Sequence, residues 1–198
     1  MRNGARNRWI HVRWVFACWL TMALAGSALA QTASRPDQRP FIFGLSVSYF
    51  IVIVFALLTR QPLLTLDPGR LRFARWEREG KVYDRKDVRT FQWALLHTPL
   101  GWLNPNVRMP SGRADIDRVL REMTYAEGTH LIAFVVSIVI AALLTVKAHV
   151  AAGVWLALIN IPMNLYPVMV QRWNRGRVLQ VSQRLRARPG RLRRVETA

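Results

Sequence analysis

Long uncharged apolar blocks alternate along this chain with segments rich in arginine. Residues 41–59 form 19 positions without a charge, and residues 131–170 form a block of 40 positions interrupted only by Lys147 and His149. A helix needs roughly 20 apolar residues to cross the hydrocarbon core of a membrane. The first block therefore predicts one transmembrane helix, and the region 130–170 predicts a transmembrane hairpin that turns near Lys147.

A third apolar block, residues 14–30, follows an arginine-rich N-terminus. Its final Ala28-Leu29-Ala30, before Gln31, is typical of a cleavable secretory signal, and the alternative is an uncleaved first span. Residues 1–30 are thus interpreted as a signal-like or first transmembrane segment. Both alternatives place residues 31–40 on the outer side of the membrane, so the span at 41–59 runs inward.

The positive charge follows the predicted topology. The chain has 29 Lys plus Arg against 11 Asp plus Glu, a net charge of +18 that on its own would suit a nucleic-acid binder. Of the 29 basic residues, 4 lie in the N-terminus, 13 in residues 60–129 and 9 in residues 172–194, which leaves 3 in the outer segments. Cytoplasmic loops of membrane proteins carry such an excess, so the polar region and the C-terminus are predicted to be cytoplasmic, and nucleic acid is not expected as a partner.

The predicted fold class is an all-α integral membrane protein with three or four transmembrane helices and interfacial cytoplasmic helices. Residues 60–129 form the cytoplasmic or interfacial region, in which residues 70–92 interleave charges with aromatic side chains and are expected to lie on anionic headgroups. A helix is expected to begin near Ser111 or Asp115 and to continue into the third span. Residues 171–198 form a polybasic cytoplasmic tail that also favours anionic lipids.

Two ionisable residues lie on the apolar face of that long helix. Glu127 and His130 share the face with apolar residues at helical spacing, namely Ile116, Leu120, Met123 and Phe134. Residues three apart on a helix are neighbours, and ionisable groups at membrane depth are costly and are candidates for function. The alternative is a Glu–His pair that only anchors the helix end among the headgroups.

The hairpin geometry brings further polar residues to the same depth. A turn at residues 148–149 would place residue 130 level with about 167, so Asn164, Gln171 and Arg172 are predicted to converge on Glu127 and His130. Pro162 and Pro167 each remove a helical hydrogen bond and leave carbonyl groups free as partners. The alternative is that these polar groups only join the two helices.

Several classes of site are excluded by their missing motifs. The sequence has no GxSxG, Walker A, HExxH or paired CxxC motif. A single Glu-x-x-His is also insufficient for a carboxylate di-iron site, which needs a second copy and further glutamates. No metal or other cofactor is therefore predicted.

Three motifs in order resemble the glycosyl-4,4'-diaponeurosporenoate acyltransferase family of bacterial membrane proteins. They are Trp76-Glu77-x-x-Gly80-x-x-Tyr83, then Ala126-Glu127-x-x-His130, then Asn164 with Gln171-Arg172-Trp173-Asn174-Arg175-x-Arg177. The sequence departs from the family pattern at Phe91-Gln92, where an aromatic-Lys pair is expected, and at Leu131, where Trp is expected.

The resemblance implies an acyltransferase of the bacterial inner membrane that transfers a fatty acyl group to a sugar hydroxyl of a glycosylated carotenoid or a similar glycolipid. The donor would be acyl-CoA or an acyl carrier protein. On this hypothesis His130 is the general base and Glu127 orients its imidazole, while the resemblance carries a sugar contact over to Glu77.

Substrate-binding roles are predicted for the C-terminal motif. Asn164 and Gln171 would donate hydrogen bonds to the developing oxyanion. Arg172, Arg175 and Arg177 would attract donor phosphates. Asn174 is also predicted to bind substrate. The competing hypothesis is a non-enzymatic membrane protein that binds or scaffolds a pigment or lipid biosynthetic complex.

Overall fold

The computed structural model describes residues 19–58, 72–97 and 113–186, and these residues form helices and turns with no strand among them. The elements are α1 (19–32), α2 (Pro40–Leu58), a 3-10 segment (Arg75–Tyr83), α3 (Lys86–His97), α4 (Arg113–Val146), α5 (Val150–Asn160), a π-helical segment (Ile161–Leu165) and α6 (Tyr166–Arg186). The prediction of an all-α membrane fold is confirmed.

Three helical stretches are long and apolar enough to cross a membrane. They are Pro40–Leu58, Ile116–Val146 and Val150–Arg184. The third combines α5, the π-helical segment and most of α6. The predicted span at 41–59 and the hairpin at 130–170 are therefore both present as helices. The block at 14–30 lies partly outside the described residues, and its cleavage stays a prediction.

The three spans pack through a small apolar core between α2, α4 and α5. It is formed by Phe43, Val47, Ile51, Ala133, Ala141, Ala152 and Leu156. Glycines allow the backbones to approach closely, because a Cβ on Gly44 would lie 3.0 Å from the Leu156 nitrogen and one on Gly153 would lie 2.7 Å from the Ala141 carbonyl oxygen. Small residues at helix interfaces are typical of membrane proteins, in which the apolar environment gives helices little hydrophobic reason to associate.

The hairpin between α4 and α5 turns at the predicted place. Ala148 adopts a φ of 66° in the turn. Asp37, in the short 3-10 turn Pro36–Gln38, holds the start of α5. Its carboxylate accepts a hydrogen bond from the Ala152 N–H at 2.9 Å and lies 2.9 Å from His149 Nδ1. These two partners, the Ala152 N–H first, lower the pKa of Asp37 below its ordinary value.

The long helix α4 confirms the predicted continuity from the polar region into the membrane. It begins at Arg113, between the two predicted N-caps, and runs through 34 residues to the hairpin turn. The polar elements before it differ from the prediction, since the 3-10 segment packs against α6. Glu77 in the 3-10 segment and Val88 on α3 are fully buried, so the described residues 72–92 form part of the protein interior as well as its surface.

Candidate functional site

A buried carboxylate lies between two arginines where α4 meets α6. Glu127 is fully buried. Its Oε1 lies 2.8 Å from Arg172 Nε, and its Oε2 lies 3.1 Å from Arg175 Nη2. The Arg175 guanidinium also lies over the Phe73 ring, 4.7 Å from its centroid. Burying these charges is tolerable only because each is matched by an opposite one.

A second buried carboxylate extends this arrangement to the 3-10 segment. Glu77 is fully buried and forms an ion pair with Arg172 Nη1. The Tyr83 hydroxyl and the Ala74 N–H each donate to Glu77 at 2.5 Å. Glu77, Glu127, Arg172 and Arg175 are hereafter called the ionic cluster. The cluster ties the 3-10 segment, α4 and α6 together, with two negative and two positive charges.

The protonation of Glu77 and Tyr83 is set by this mutual contact. Burial raises the pKa of Glu77, but hydrogen bonds from Tyr83, Ala74 and Arg172 outweigh it, so the net pKa lies below the ordinary value of 4.5. Burial and the Glu77 carboxylate raise the pKa of Tyr83 to about 12. Glu77 is thus held as an anion and Tyr83 as a neutral donor.

The lowered pKa of Glu77 predicts acid sensitivity. Because the folded pKa is below the unfolded one, the stabilisation from Glu77 is fully present above pH 4.5 and is lost as the pH falls through the lowered folded value. Thermal unfolding of the purified protein from pH 7 to pH 3 measures this loss. The slope below pH 4.5 should be shallower in Glu77→Gln than in the wild type, and identical slopes would contradict the assignment.

Gly80 allows the 3-10 segment to approach α6 directly. It has a φ of +88°, and a Cβ there would lie 2.6 Å from the Arg172 carbonyl oxygen. The sequence motif Glu77-x-x-Gly80-x-x-Tyr83 therefore has a structural explanation. Gly80 brings the segment onto the Arg172 backbone, Glu77 binds the Arg172 side chain, and Tyr83 orients Glu77.

Substitution of Gly80 is expected to destabilise this contact. Gly80→Ala adds a methyl group against the Arg172 carbonyl and places a non-glycine residue at positive φ, which alone costs about 1–2 kcal/mol. We expect a lower thermal midpoint and reduced protein in membranes. The matched control is Gly26→Ala, because a Cβ at Gly26 meets no atom within 4 Å. Equal midpoints for the two variants would contradict the close approach.

Deeper in the spans, a chain of amides leads to His130. Asn160 Nδ2 donates to the Phe134 carbonyl at 3.0 Å, and Asn164 Nδ2 donates to Asn160 Oδ1 at 2.7 Å. Asn164 Oδ1 then lies 3.2 Å from His130 Nδ1. Asn164 Nδ2 is also 3.3 Å from Ser48 Oγ on α2. Both asparagines are fully buried, whereas His130 retains partial exposure.

The direction of this chain fixes the tautomer of His130. The Phe134 carbonyl only accepts, so Asn160 must present its amide nitrogen to it and its oxygen to Asn164. Asn164 must in turn present its oxygen to His130, so Nδ1 of the imidazole carries the hydrogen. In the neutral ring, Nε2 is then the nitrogen with a free lone pair.

The π-helical segment includes Asn164, the partner of His130. Pro167 has no N–H, so it cannot donate to the Met163 carbonyl as the α-helical pattern would require. The Tyr166 N–H donates to the Ile161 carbonyl, which is the wider π-helical spacing. Asn164 therefore reaches His130 from a π-helical turn.

The predicted site residues fall into two groups. Asn164 contacts His130, and Arg172 contacts Glu127, as the hairpin geometry predicts. The predicted Glu127–His130 pair is not formed, because the Glu127 carboxylate points to the arginines of α6. Among the described residues no hydrogen bond joins Gln171 to Glu127 or His130, and its predicted convergence on this pair stays a prediction.

The remaining residues of the C-terminal motif face α3 and the 3-10 segment. Asn174 Oδ1 accepts from Gln92 Nε2 at 3.2 Å. The Arg177 guanidinium lies 5.2 Å from the centroid of Trp173. Whether any of the predicted residues contacts a substrate stays a prediction, including the implied contact between Glu77 and a sugar.

Two site residues were missed by sequence reasoning. Asn160 lies one helical turn before Asn164, and residues at this spacing are neighbours on one helix face. The spacing in the sequence could therefore have identified Asn160. Ser48 lies on α2 at a sequence distance of 116 residues from Asn164, and no sequence pattern links them. Within the described residues no cluster of three or more His, Cys, Asp or Glu side chains is placed to hold a metal ion.

These features define an all-α membrane protein with a polar site built between two helices of a helical hairpin. The family model for glycosyl-4,4'-diaponeurosporenoate acyltransferase matches residues 67–184, which is more than half of the chain. The chain belongs to this family. Comparisons with curated proteins and with solved structures found no match. The matched range contains the ionic cluster, His130 and Asn164, and it excludes Ser48.

Proposed function

We propose that the protein is a membrane acyltransferase that moves a fatty acyl group from an activated thioester to a sugar hydroxyl of a glycosylated carotenoid acid or a similar glycolipid. Family membership supports the reaction class. The observation that carries the mechanism is the His130 imidazole, whose Nδ1 is held by Asn164 and whose Nε2 is left as a base.

The reaction needs one proton carrier. His130 Nε2 removes the proton of the acceptor hydroxyl as its oxygen attacks the thioester carbonyl. The carbon–oxygen bond forms, the carbon–sulfur bond of the tetrahedral intermediate breaks, and the imidazolium returns the proton to the departing thiolate. Asn164 Oδ1 stabilises the imidazolium between these steps. Asn164 thus takes the role that the sequence predicted for Glu127.

The hydrogen-bond pattern changes the role assigned to Asn164. Its amide nitrogen already donates to Asn160 and Ser48, so it has little capacity left for an oxyanion. We therefore assign Asn164 to positioning His130. Gln171 is half-buried on α6 and remains the proposed oxyanion donor.

The ionic cluster is proposed to hold the geometry of the site. Glu127 lies three residues before His130 on α4, and Arg172 lies eight residues after Asn164 along the facing chain. The ion pair between Glu127 and Arg172 therefore fixes how α6 lies against α4 next to the catalytic pair. Glu77 and Arg175 complete the charge balance, and these four residues are positioning residues.

The charge distribution supports a cytoplasmic position for the polar end of the site. Lys and Arg are concentrated in residues 60–129 and 172–194, which favours the cytoplasmic side of the bacterial inner membrane. An acceptor lipid would then enter from the inner leaflet, and a donor, acyl-CoA or acyl carrier protein, would enter from the cytoplasm.

The proposal is tested in cells that make a glycosylated carotenoid acid. Pigment extracts are compared by mass spectrometry with and without the protein. We expect a new species heavier by the mass of one fatty acid minus one water, which mild alkaline hydrolysis converts back to the glycoside. An unchanged pigment profile, or a change only in pigment amount, would favour the non-enzymatic alternative of a scaffold or pigment-binding protein.

A further inference from the structure

An open, cationic cavity lies beside the ionic cluster, between the 3-10 segment, α3 and α6. Its volume is about 640 Å³, and its charged and aromatic lining consists of Lys81, Asp84, Arg89, Trp173 and Arg177. This volume is in the range of small-molecule sites. The lining carries three positive charges against one negative charge, so the cavity attracts an anion.

Of the three cations in the cavity, two are available to a ligand. The third, Arg89, is held by Asp84, whose Oδ1 lies 2.6 Å from Nε and 2.5 Å from Nη2. Within the described residues, Lys81 and Arg177 have no carboxylate partner. This contrasts with Arg172 and Arg175, which the sequence also predicted as phosphate ligands but which the buried glutamates occupy.

Trp173 gives the cavity an aromatic surface in addition to its positive charge. The guanidinium carbons of Arg89 and Arg177 lie 5.7 and 5.2 Å from the Trp173 ring centroid. Indole rings and guanidinium planes both stack on nucleobases. A lining of one indole, two guanidinium groups and a lysine suits a ligand that has both phosphates and a base.

The cavity is also separated from the catalytic base by a defined length of helix. Trp173 and Arg177 lie nine and thirteen residues after Asn164, which corresponds to about 14 and 20 Å along a helix. A ligand bound at the cavity could reach His130 only through a long, flexible arm. A pantetheine thioester has such an arm between its phosphates and its reactive carbonyl.

We propose that this cavity binds the phosphorylated nucleotide end of a CoA-type acyl donor, with Lys81 and Arg177 as phosphate ligands and Trp173 beside the base. The inference rests on the proposed function and names the donor class for it. The pantetheine arm would then run along α6 towards His130, and the acyl chain would remain in the apolar part of the site.

The test is direct binding of free CoA to the full-length protein in detergent, measured by calorimetry without an acceptor. Charge-assisted hydrogen bonds to phosphate predict that Lys81→Gln/Arg177→Gln binds CoA at least about tenfold more weakly than the wild type. The matched control is Arg184→Gln, an exposed arginine on α6 outside the cavity, which should bind as the wild type does. Equal thermal midpoints establish that the variants are folded.

Three further probes separate the sources of phosphate. Dephospho-CoA should bind more weakly than CoA, and pantetheine, which has no phosphate, should not compete. Vesicles of phosphatidylglycerol should bind the wild type and the double variant alike. Undetectable CoA binding, equal affinity in the double variant, or an effect confined to the vesicles or to an acyl carrier protein would overturn the assignment.

The outcome is distinguishable from failure of the proposed function. A protein that binds CoA through Lys81 and Arg177 but forms no ester would contradict the acyl-transfer reaction and would leave the cavity assignment standing. Ester formation from acyl-CoA that is unaffected in the double variant at subsaturating donor would contradict the cavity assignment and would leave the acyl-transfer reaction standing.

Discussion

Replacement of His130 by glutamine is expected to reduce acyl transfer by roughly 10²–10⁴-fold, the usual contribution of a general base. The glutamine amide can still donate to Asn164 Oδ1, so the buried amide chain is kept, but no basic nitrogen remains. The variant should therefore retain its thermal midpoint and its level in the membrane. The measurement is the initial rate of ester formation at saturating donor.

The control for this substitution is His97→Gln. His97 lies on α3, is exposed, and contacts Trp93 rather than the catalytic groups. It should retain the wild-type rate. A fully active His130→Gln protein would remove the general base from the mechanism, and a His130→Gln protein that failed to accumulate would point to a structural role instead.

Replacement of Glu127 by glutamine is expected to have the largest effect on stability. It leaves one carboxylate, Glu77, against the two guanidinium groups of Arg172 and Arg175 in the ionic cluster. Breaking a buried ion pair by removing one partner costs about 3–5 kcal/mol. The free energy of unfolding in mixed micelles measures this cost, with Asp117→Asn, an exposed carboxylate on the same helix, as the control that should change little.

A double variant distinguishes ionic balance from simple packing. In Glu127→Gln/Arg175→Gln the remaining pair, Glu77 and Arg172, is again neutral overall. This variant should be more stable than the sum of the two single effects predicts. Strict additivity would show that the charges of Glu127 and Arg175 do not compensate each other.

The fold was largely predictable because membrane insertion leaves a strong signal in the sequence. The span that became α2 follows from uncharged length. The turn after Val146 follows from the interruption of the apolar block at Lys147 and His149, and the continuity of α4 follows from apolar residues at helical spacing. The packing of the 3-10 segment against α6 was not predictable, because residues 70–92 have the charge density of a surface element. Only the buried contacts of Glu77 and Gly80 show that the segment enters the interior.

The contacts across the hairpin were predictable, but the pairing of Glu127 with His130 was not. Hairpin mirroring placed Asn164 near His130 and Arg172 near Glu127, as the structure has them, since antiparallel helices have a fixed register once the turn is known. The partners of Glu127 and His130 depend on side-chain direction, and the π-helical segment at Ile161–Leu165 alters the facing of every later residue on α6. A count of residues from the turn does not include this change.

The most direct test of the account is a balance of products in liposomes that contain the purified protein, an acyl-CoA and a glycosylated carotenoid acid. Each ester formed should be accompanied by one free thiol, and both products should be lost together in His130→Gln. Release of thiol without ester, or ester formation that persists in His130→Gln, would contradict it.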